Sequence, residues 1–495
     1  MDTVAGAAIQ DYPKHRYRVF ILDDANDSDL KRQIDDFNAN EWTKRLGIQP
    51  VVYLNRSKGP GVLHHYKAGN LDSGIRTSKD QYGSSELIAG LDADMIPEPD
   101  WLARTVPHLV LSPGLALVSP PQYSYTIPEG DILAQDANVL QQVLEPVRDR
   151  IGCSMCHGSG YVMRREALDA IGGWPLVNIG EDILCSYQLN RAGWQTAFIE
   201  DKLQFGTAPE SFHAYVAQRM RWTAGNLLSP QKFNFFLPYL DYSKQTGVQR
   251  FHGWMQGVKT YAWVALAVPL ILLPVCLPLM GDGERHGDIP WNRDSVRYPY
   301  IFTWFAFRLW RRTVFAPHLG LTNVRNLSRN RYWITPYIAY GFYQSLWVNL
   351  EETKFEISGT FVSPIDERSE KARPGLWKRM TNSLVLMHTV YWLIASIAFL
   401  AWVSSIGVKI GSGSQSHAYL HTGLTMRLFE IVMAALVPVR YMAFPPSAVN
   451  RRERLARDER GAYRLITKTW TKRGDNGVSL REVIELLLIV VCDWL

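Results

Sequence analysis

The stretch Tyr261–Met280 (YAWVALAVPLILLPVCLPLM) contains no charged side chain. A run of about 20 such residues is what a helix needs to cross roughly 30 Å of hydrocarbon. No other feature narrows the fold as much, because the run must be buried in lipid or in a large core. Leu384–Val408 is a second charge-free run, and Leu424–Phe444 a third, interrupted by Arg427 and Glu430. Tyr298–Pro317 is apolar around Arg308, Arg311 and Arg312, while Tyr332–Leu350 is uncharged but rich in Tyr, Trp, Asn and Gln. These segments predict transmembrane helices near 261–280, 298–316, 384–408 and 424–444, with a helix over 332–350 lying along the interface. Arg308–Arg331 and Arg451–Arg473 are densely basic, whereas Gly281–Asp294 and Gly411–His421 are not. The positive-inside rule then places the N-terminal domain and a basic tail, residues 446–495, in the cytosol.

Upstream of residue 250 the pattern changes. Arg18–Leu22 (RVFIL), Pro50–Leu54 (PVVYL), Glu86–Leu91 (ELIAGL) and Ala116–Ser119 read as buried strands. Asp29–Leu46 and Tyr66–Ser78 between them have helical character. Such alternation predicts an α/β domain with a mixed, mostly parallel sheet and its active groups at the carboxyl ends of the strands. Asp23 and Asp24 follow the first strand, and Asp92 and Asp94 the third. The 495 residues are 47% hydrophobic and 20% charged, which excludes disordered and collagen-like classes. The net charge of +6 is concentrated beside the apolar segments, so the expected surface partner is a lipid bilayer and not a nucleic acid. Five cysteines, unevenly spaced, argue against a disulfide framework, and Met1–Gln10 lacks the basic start of a secretory signal.

Five groups of residues carry chemistry. Asp92-Ala93-Asp94 offers two carboxylates that can share a divalent cation such as Mg²⁺ or Mn²⁺, although a solvated turn and a phosphotransferase Asp-x-Asp read the same way. Asp23 and Asp24 could accept hydrogen bonds from a nucleotide, or simply close a turn. Lys67 could neutralise a phosphate, or stand exposed on a helix. Glu181 and Asp182 precede a helical run, where an acid serves as a helix cap or as a general base for a hydroxyl. Gln218, Arg221 and Trp222 fall at i, i+3 and i+4 on one helix face. That face presents an amide, a guanidinium for a diphosphate and an indole on which a sugar can stack, or it anchors an amphipathic helix near a membrane.

Taken in order, these segments resemble the membrane-embedded family 2 glycosyltransferases, in particular their cellulose synthase-like branch. FILDDAND is similar to the first nucleotide-binding Asp motif, YKAGNLDSGI to the Lys-Ala-Gly-Asn-Leu element and LDADMIPEPDWL to the metal-binding DxD segment. NIGEDILCSYQLNRAGW resembles the region of the catalytic base, and QRMRW fits Q-x-x-R-W. The resemblance covers about residues 5–445. It implies a GT-A-like cytosolic domain, residues 1–250, followed by an α-helical membrane region, residues 251–445. It also implies a nucleotide-sugar donor, most simply a UDP-sugar, and a glycan, lipid or small-molecule acceptor. Asp23, Asp24, Lys67, Asp92 and Arg221 would then bind the donor. Asp94 with Asp92 would hold Mg²⁺ or Mn²⁺, and Asp182 would be the base of an inverting displacement. Gln218, Trp222, Glu181 and His157 would face the acceptor. Phe355, Ile357 and Ser358, in TKFEISGT over 353–360, would match a gating loop.

Three departures accompany the resemblance. The family's initial strand and its base-binding motif have no counterpart before the first helix, so the chain reads as N-terminally truncated relative to the family. The acceptor motif Phe-Phe-Cys-Gly-Ser is Met155-Cys156-His157-Gly158-Ser159 here, and Thr360 stands where the gating Lys is expected. The competing expectation from another class is a non-catalytic family member acting as a membrane interaction protein.

Overall fold

The computed structural model describes the chain apart from residues 57–63, 129–130, 136–138, 178, 239, 281–293, 348–366, 412–417, 460, 462 and 467–495. The gating-like segment with Phe355, Ile357 and Ser358 therefore lies outside the described residues.

Among the described residues, nine short strands build the N-terminal domain. Strands β1 (Phe20–Asp23) and β2 (Val52–Asn55) form a parallel pair. A four-stranded sheet has the order β3 (Leu87–Gly90), β7 (Tyr161–Arg164), β5 (Leu115–Ser119), β8 (Gln195–Phe198). A smaller sheet orders β4 (Met95–Pro97), β9 (Gln204–Gly206) and β6 (Tyr123–Ser124). The four strands expected from the sequence are all present within about two residues. Their assembly corrects the expectation of a mostly parallel sheet. β7 is antiparallel to both β3 and β5, β4 is antiparallel to β9, and only β5–β8, β6–β9 and β1–β2 are parallel. An apolar run identifies a buried strand but carries no information about its direction, and β7 lies beyond the four strands on which the expectation rested. A second correction follows. β1, which ends at Asp23, pairs with β2 and not with β3, so the two carboxylate pairs stand on different sheets.

The core explains why the central sheet is fixed. Leu117, Met163, Leu189 and Cys185 are buried together with Tyr161 and Trp174, whose rings meet at 5.5 Å. Each fully buried Leu or Met contributes about 1.5–3 kcal/mol. The helix Glu181–Arg191 packs on this layer. The helix Phe212–Lys232 turns Phe212, Tyr215 and Val216 into a separate cluster with Trp333, Tyr337, Val385 and Tyr441. It thereby joins the α/β domain to the long helices that follow. Ser211 caps it, accepting Ala214 N at 3.1 Å.

Long helices run over Gly247–Met280, Asp294–Leu319, Ser383–Gly411 and Ala418–Ala443, with shorter ones over Leu321–Trp333 and Thr335–Trp347. Among the described residues two, Gly247–Cys276 and Leu384–Ser404, are long and apolar enough to cross a membrane. The start of the segment read as a basic tail is folded onto the N-terminal domain. Strands β10 (Leu455–Arg457) and β11 (Tyr463–Leu465) form an antiparallel hairpin. Leu455, Tyr463 and Leu465 pack with Ile96, Tyr125 and Phe205, and Arg451 pairs with Asp2.

Candidate active site

A cavity of about 1690 Å³ opens between the α/β domain and the helices, and almost every predicted site residue among those described reaches its wall. Lys67, near the start of the helix Tyr66–Tyr82, pairs with Asp92 just beyond β3 and donates to Gly158 O at 2.8 Å. Asp92 N donates to Ser159 Oγ at 3.0 Å, and Ser159 Oγ donates to the buried Gln204 Oε1 at 3.0 Å. The Asp92 turn is thus tied to the His157-Gly158-Ser159 segment. Burial opposes the charge on Lys67, but Asp92 and Glu181 outweigh it and raise the ammonium pKa.

Gly158 is the hinge of this arrangement. Its φ of +87° belongs to the left-handed region, and a Cβ there would stand 3.0 Å from Asp182 Oδ2 and 3.1 Å from Lys67 Nζ. Only a glycine lets the strand-end carboxylate system and the base candidate meet across so little space. Gly180, with φ +75°, does the same for the helix carrying Glu181 and Asp182, because its Cβ would lie 3.3 Å from Gly225 of the helix Phe212–Lys232.

Asp182 stands in the first turn of its helix, with Gly180 as the N-cap. Its Oδ1 accepts Ile183 N at 2.8 Å, leaving Oδ2 toward Gly158 and the cavity. Burial raises the Asp182 carboxyl, against the pull of Lys67. Neighbouring Glu181 is pushed up to about 7, by burial first and then by the charge of Asp182. Two adjacent acids held above the ordinary carboxylate range, beside a cation, are suited to proton transfer at neutral pH.

Asp94 also lines the cavity, with Thr207 Oγ1 3.5 Å from its Oδ2. Burial, then the charge of Asp92, raises its carboxyl. A cation shared by the two would relieve that repulsion, and all their donor atoms are hard oxygens. Among the described residues no three His, Cys, Asp or Glu side chains converge as a complete metal site. Asp92 and Asp94 by themselves offer two hard-oxygen carboxylates, the donor type that Mg²⁺ or Mn²⁺ takes beside substrate phosphates and water, so their chemistry fits such an ion.

Gln218, Arg221 and Trp222 share the cavity wall, with Trp222 45% exposed. Sequence reasoning missed Arg219, whose guanidinium lies 4.5 Å from the Trp222 ring centre and 4.8 Å from that of Tyr215. The stack holds the indole against the wall by cation–π attraction, worth about 0.5–1 kcal/mol at an exposed site. Its signal was present in QRMRW, at the unassigned second position. Glu145 and Arg148 were also missed, and nothing near them in sequence marks them. Fully buried Glu145 pairs with Arg148 and approaches His157 Nε2 at 3.2 Å. His157, expected to face the acceptor, lines the cavity and also stands beside this buried pair.

Asp23 and Asp24 are not on the cavity wall. Asp23 accepts Ala25 N, Asp27 N and Tyr53 Oη at 2.8, 2.6 and 2.6 Å. Asp24 accepts both Nε and Nη2 of Arg56, at 2.6 and 2.7 Å, in a two-pronged ion pair. Arg56 in turn donates to His64 O and Tyr66 O, so the pair fixes the approach to the helix that carries Lys67.

Comparison with known proteins gives this geometry a lineage. The chain is 31% identical over 231 residues to "Probable glucomannan 4-beta-mannosyltransferase 6" of Oryza sativa subsp. japonica, covering 46% of this chain and 38% of that protein. It is 28% identical over 230 residues to the cellulose synthase catalytic subunit (UDP-forming) of Komagataeibacter sucrofermentans, covering 45% and 28%. Cellulose synthase 2 of Novacetimonas hansenii is 28% identical over 232 residues, covering 46% and 13%. The matches thus span well under half the length of these relatives. A solved structure, mannosyltransferase PcManGT from Pyrobaculum calidifontis in complex with GDP-Man and Mn²⁺, aligns over 70% of this chain and 82% of its own, with 17% identity and a TM-score of 0.39. Residues 87–411, more than half of the chain, match the family model described as glycosyl transferase family group 2, and the chain belongs to that family.

Proposed function

We propose that this chain is a membrane-bound, inverting hexosyltransferase that moves a sugar from a nucleotide sugar, most simply a UDP-sugar, to an acceptor hydroxyl. The acceptor class is a growing β-glycan or a lipid or small-molecule glycoside. One observation carries the reading: Lys67, Asp92 and Asp182 meet around Gly158 at the wall of a cavity that Gln218, Arg221 and Trp222 also line.

In the proposed mechanism the donor's diphosphate lies against Lys67 and Arg221, whose charges favour the leaving group as its bond to the anomeric carbon breaks. Trp222 stacks on an acceptor sugar, and Gln218 hydrogen-bonds one of its hydroxyls. Asp182 takes the proton of the attacking hydroxyl as the new glycosidic bond forms on the opposite face of the carbon. Asp92 and Asp94 would hold a divalent cation, which when bound supplies further charge neutralisation at the diphosphate. Two apolar helices, Gly247–Cys276 and Leu384–Ser404, support a bilayer setting, with the α/β domain on the cytosolic side by charge distribution.

A second reading, a non-catalytic family member, draws on the engagement of Asp23 and Asp24 by Tyr53 and Arg56, away from the cavity. Nucleotide release by the detergent-solubilised chain, across a panel of nucleotide sugars with Mg²⁺ or Mn²⁺, separates the two. Metal-dependent release that falls at least ~10³-fold in Asp182→Asn is the expected result. A folded chain with no turnover on any donor favours the non-catalytic reading.

A further inference from the structure

The carbonyl between the two ion-ligand candidates is held by a residue the mechanism above leaves unused. Thr3 Oγ1 donates to Ala93 O at 2.8 Å, and Ala93 is the residue that separates Asp92 from Asp94. Met95 N donates to Asp92 O at 3.0 Å and closes the turn. β9 crowds the same turn, since a Cβ at Gly206 would stand 2.6 Å from Asp94 O. With Asp92 N bonded to Ser159 Oγ, the backbone that sets the angle between the two carboxylates is gripped at all three of its residues.

Thr3 belongs to the helix Asp2–Ala8, whose seat is fixed by packing against two units. Val4 and Ala8 are buried with Ile34 and Val51, against Ile21 of β1 and Tyr53 of β2. A Cβ at Gly6 would stand 3.1 Å from Pro97 Cδ and 3.3 Å from Ile96 Cγ2, so the helix backbone lies directly on β4. Just beyond the helix, fully buried Gln10 donates to Gly6 O at 2.9 Å and Glu98 O at 3.0 Å, and accepts Leu102 N at 3.1 Å. The other end of the helix is clasped as well. Asp2 pairs with Arg451, 449 residues away, whose guanidinium also lies 4.9 Å from the Tyr463 ring centre. Tyr463 and Leu455 pack with Ile96, in the strand that begins one residue after Asp94.

We propose that Thr3 is a positioning residue for the divalent-ion site, resting on the reading of Asp92 and Asp94 as that ion's ligands, and that the Asp2–Arg451 pair holds Thr3 in place. Ions such as Mg²⁺ demand close geometry from their oxygen ligands, so the groups that orient a ligand bear on affinity nearly as much as the ligand does. Thr3 is not on the cavity wall, so its influence falls on the ion site and not on donor or acceptor contacts. Without its hydroxyl the Ala93 carbonyl turns to water at little cost to the fold, while the two carboxylates lose their fixed relative angle.

The test is Mn²⁺ binding by the full chain in detergent, followed as loss of the free-ion electron paramagnetic resonance signal in the absence of nucleotide and turnover. Wild type is compared with Thr3→Val, Thr3→Ser, Arg451→Gln and Asp94→Asn. Thr3→Val keeps the branched shape without the hydroxyl and is expected to weaken Mn²⁺ binding about tenfold, the lower end of what losing a group behind a metal ligand costs. Thr3→Ser is expected to stay within about twofold of wild type, and Arg451→Gln, which removes an exposed ion pair, to bind about 2- to 5-fold more weakly. In nucleotide release the same variants should raise the metal concentration for half-maximal rate, with acceptor KM at saturating metal unchanged. Thr3→Val binding within about twofold of wild type while Asp94→Asn is weakened overturns the proposal and leaves the ion site standing. Equal weakening in Thr3→Ser and Thr3→Val also overturns it, because the cause would then be helix packing and not the hydroxyl. Unchanged binding in Arg451→Gln overturns the role given to the ion pair. Wild type that takes up no Mn²⁺, or Asp94→Asn that binds as tightly as wild type, overturns the ion site and Thr3's part in it together. Should Thr3→Val fail to give a cooperative melt, Thr3→Ala beside Thr3→Ser decides, because alanine favours the helix while still lacking the hydroxyl.

Discussion

Replacing Gly158 with Ala perturbs the site at the point where its parts meet. Two costs are separable. The left-handed backbone at φ +87° penalises any Cβ by about 1–2 kcal/mol. The new methyl would also stand 3.0 Å from Asp182 Oδ2 and 3.1 Å from Lys67 Nζ, closer than ordinary contact, so both side chains must withdraw by a few tenths of an ångström. Gly172 supplies the control: its φ is +86° and a Cβ there meets nothing within 4 Å. Gly172→Ala therefore bears the positive-φ cost without the crowding. Both variants are expected to melt a few degrees below wild type, about 2–4 °C per kcal/mol for a domain near 250 residues. Only Gly158→Ala is expected to lose activity, about 10- to 100-fold, because reacting groups tolerate little misplacement. Thermal melts and metal-dependent nucleotide release measure the two effects. Gly158→Ala turnover within twofold of Gly172→Ala would refute the idea that Lys67 and Asp182 work as a unit held by this glycine.

Further predictions concern neighbouring features. Glu98 is pushed up to about 7, chiefly by burial, with Asp100 and Asp458 adding to it against Arg464. A carboxyl whose folded pKa exceeds its unfolded value costs stability as pH rises from about 4.5 through 7, so Glu98→Gln should raise the melting temperature at pH 8 and not at pH 4, by about 1–2 kcal/mol after discounting partial exposure. Arg56→Lys loses the two-pronged grip on Asp24 and should lower urea stability by about 1–2 kcal/mol. Trp222→Ala removes an exposed stacking surface and should raise acceptor KM about 5- to 10-fold with a smaller change in kcat, as read from initial rates. Asp94, raised by burial and Asp92, should lose its hold on a cation as pH falls, so the metal concentration for half-maximal turnover is expected to climb toward pH 5, and Asp94→Asn should raise it at every pH.

Much of the candidate site was legible because its chemistry is written in neighbouring residues. Gln218, Arg221 and Trp222 sit on one helix face by spacing alone, and they do share the cavity wall. Asp92 and Asp94 follow a strand recognisable from four apolar positions, and the turn between them is local. Glu145 was illegible for the opposite reason. A buried acid is defined by what surrounds it, and its partners His157 and Met155 are ten or more residues away. Asp23 and Asp24 fall in the same gap: a strand-end carboxylate looks alike in sequence whether or not Arg56 packs against it.

What the sequence by itself determined is therefore local: which runs are strands, which are long apolar helices, and which residue types line up on one face. These follow from backbone geometry and side-chain periodicity, which act over a few residues. The tertiary structure alone decided the direction of β7, the separation of β1 from β3, the packing of Leu455, Tyr463 and Leu465 on the N-terminal domain, and the meeting of Lys67 with Asp182 at Gly158. Each of these depends on burial and charge compensation between segments far apart in the chain. That is where desolvation, and with it the raised pKa of Glu181 and Asp182, is set.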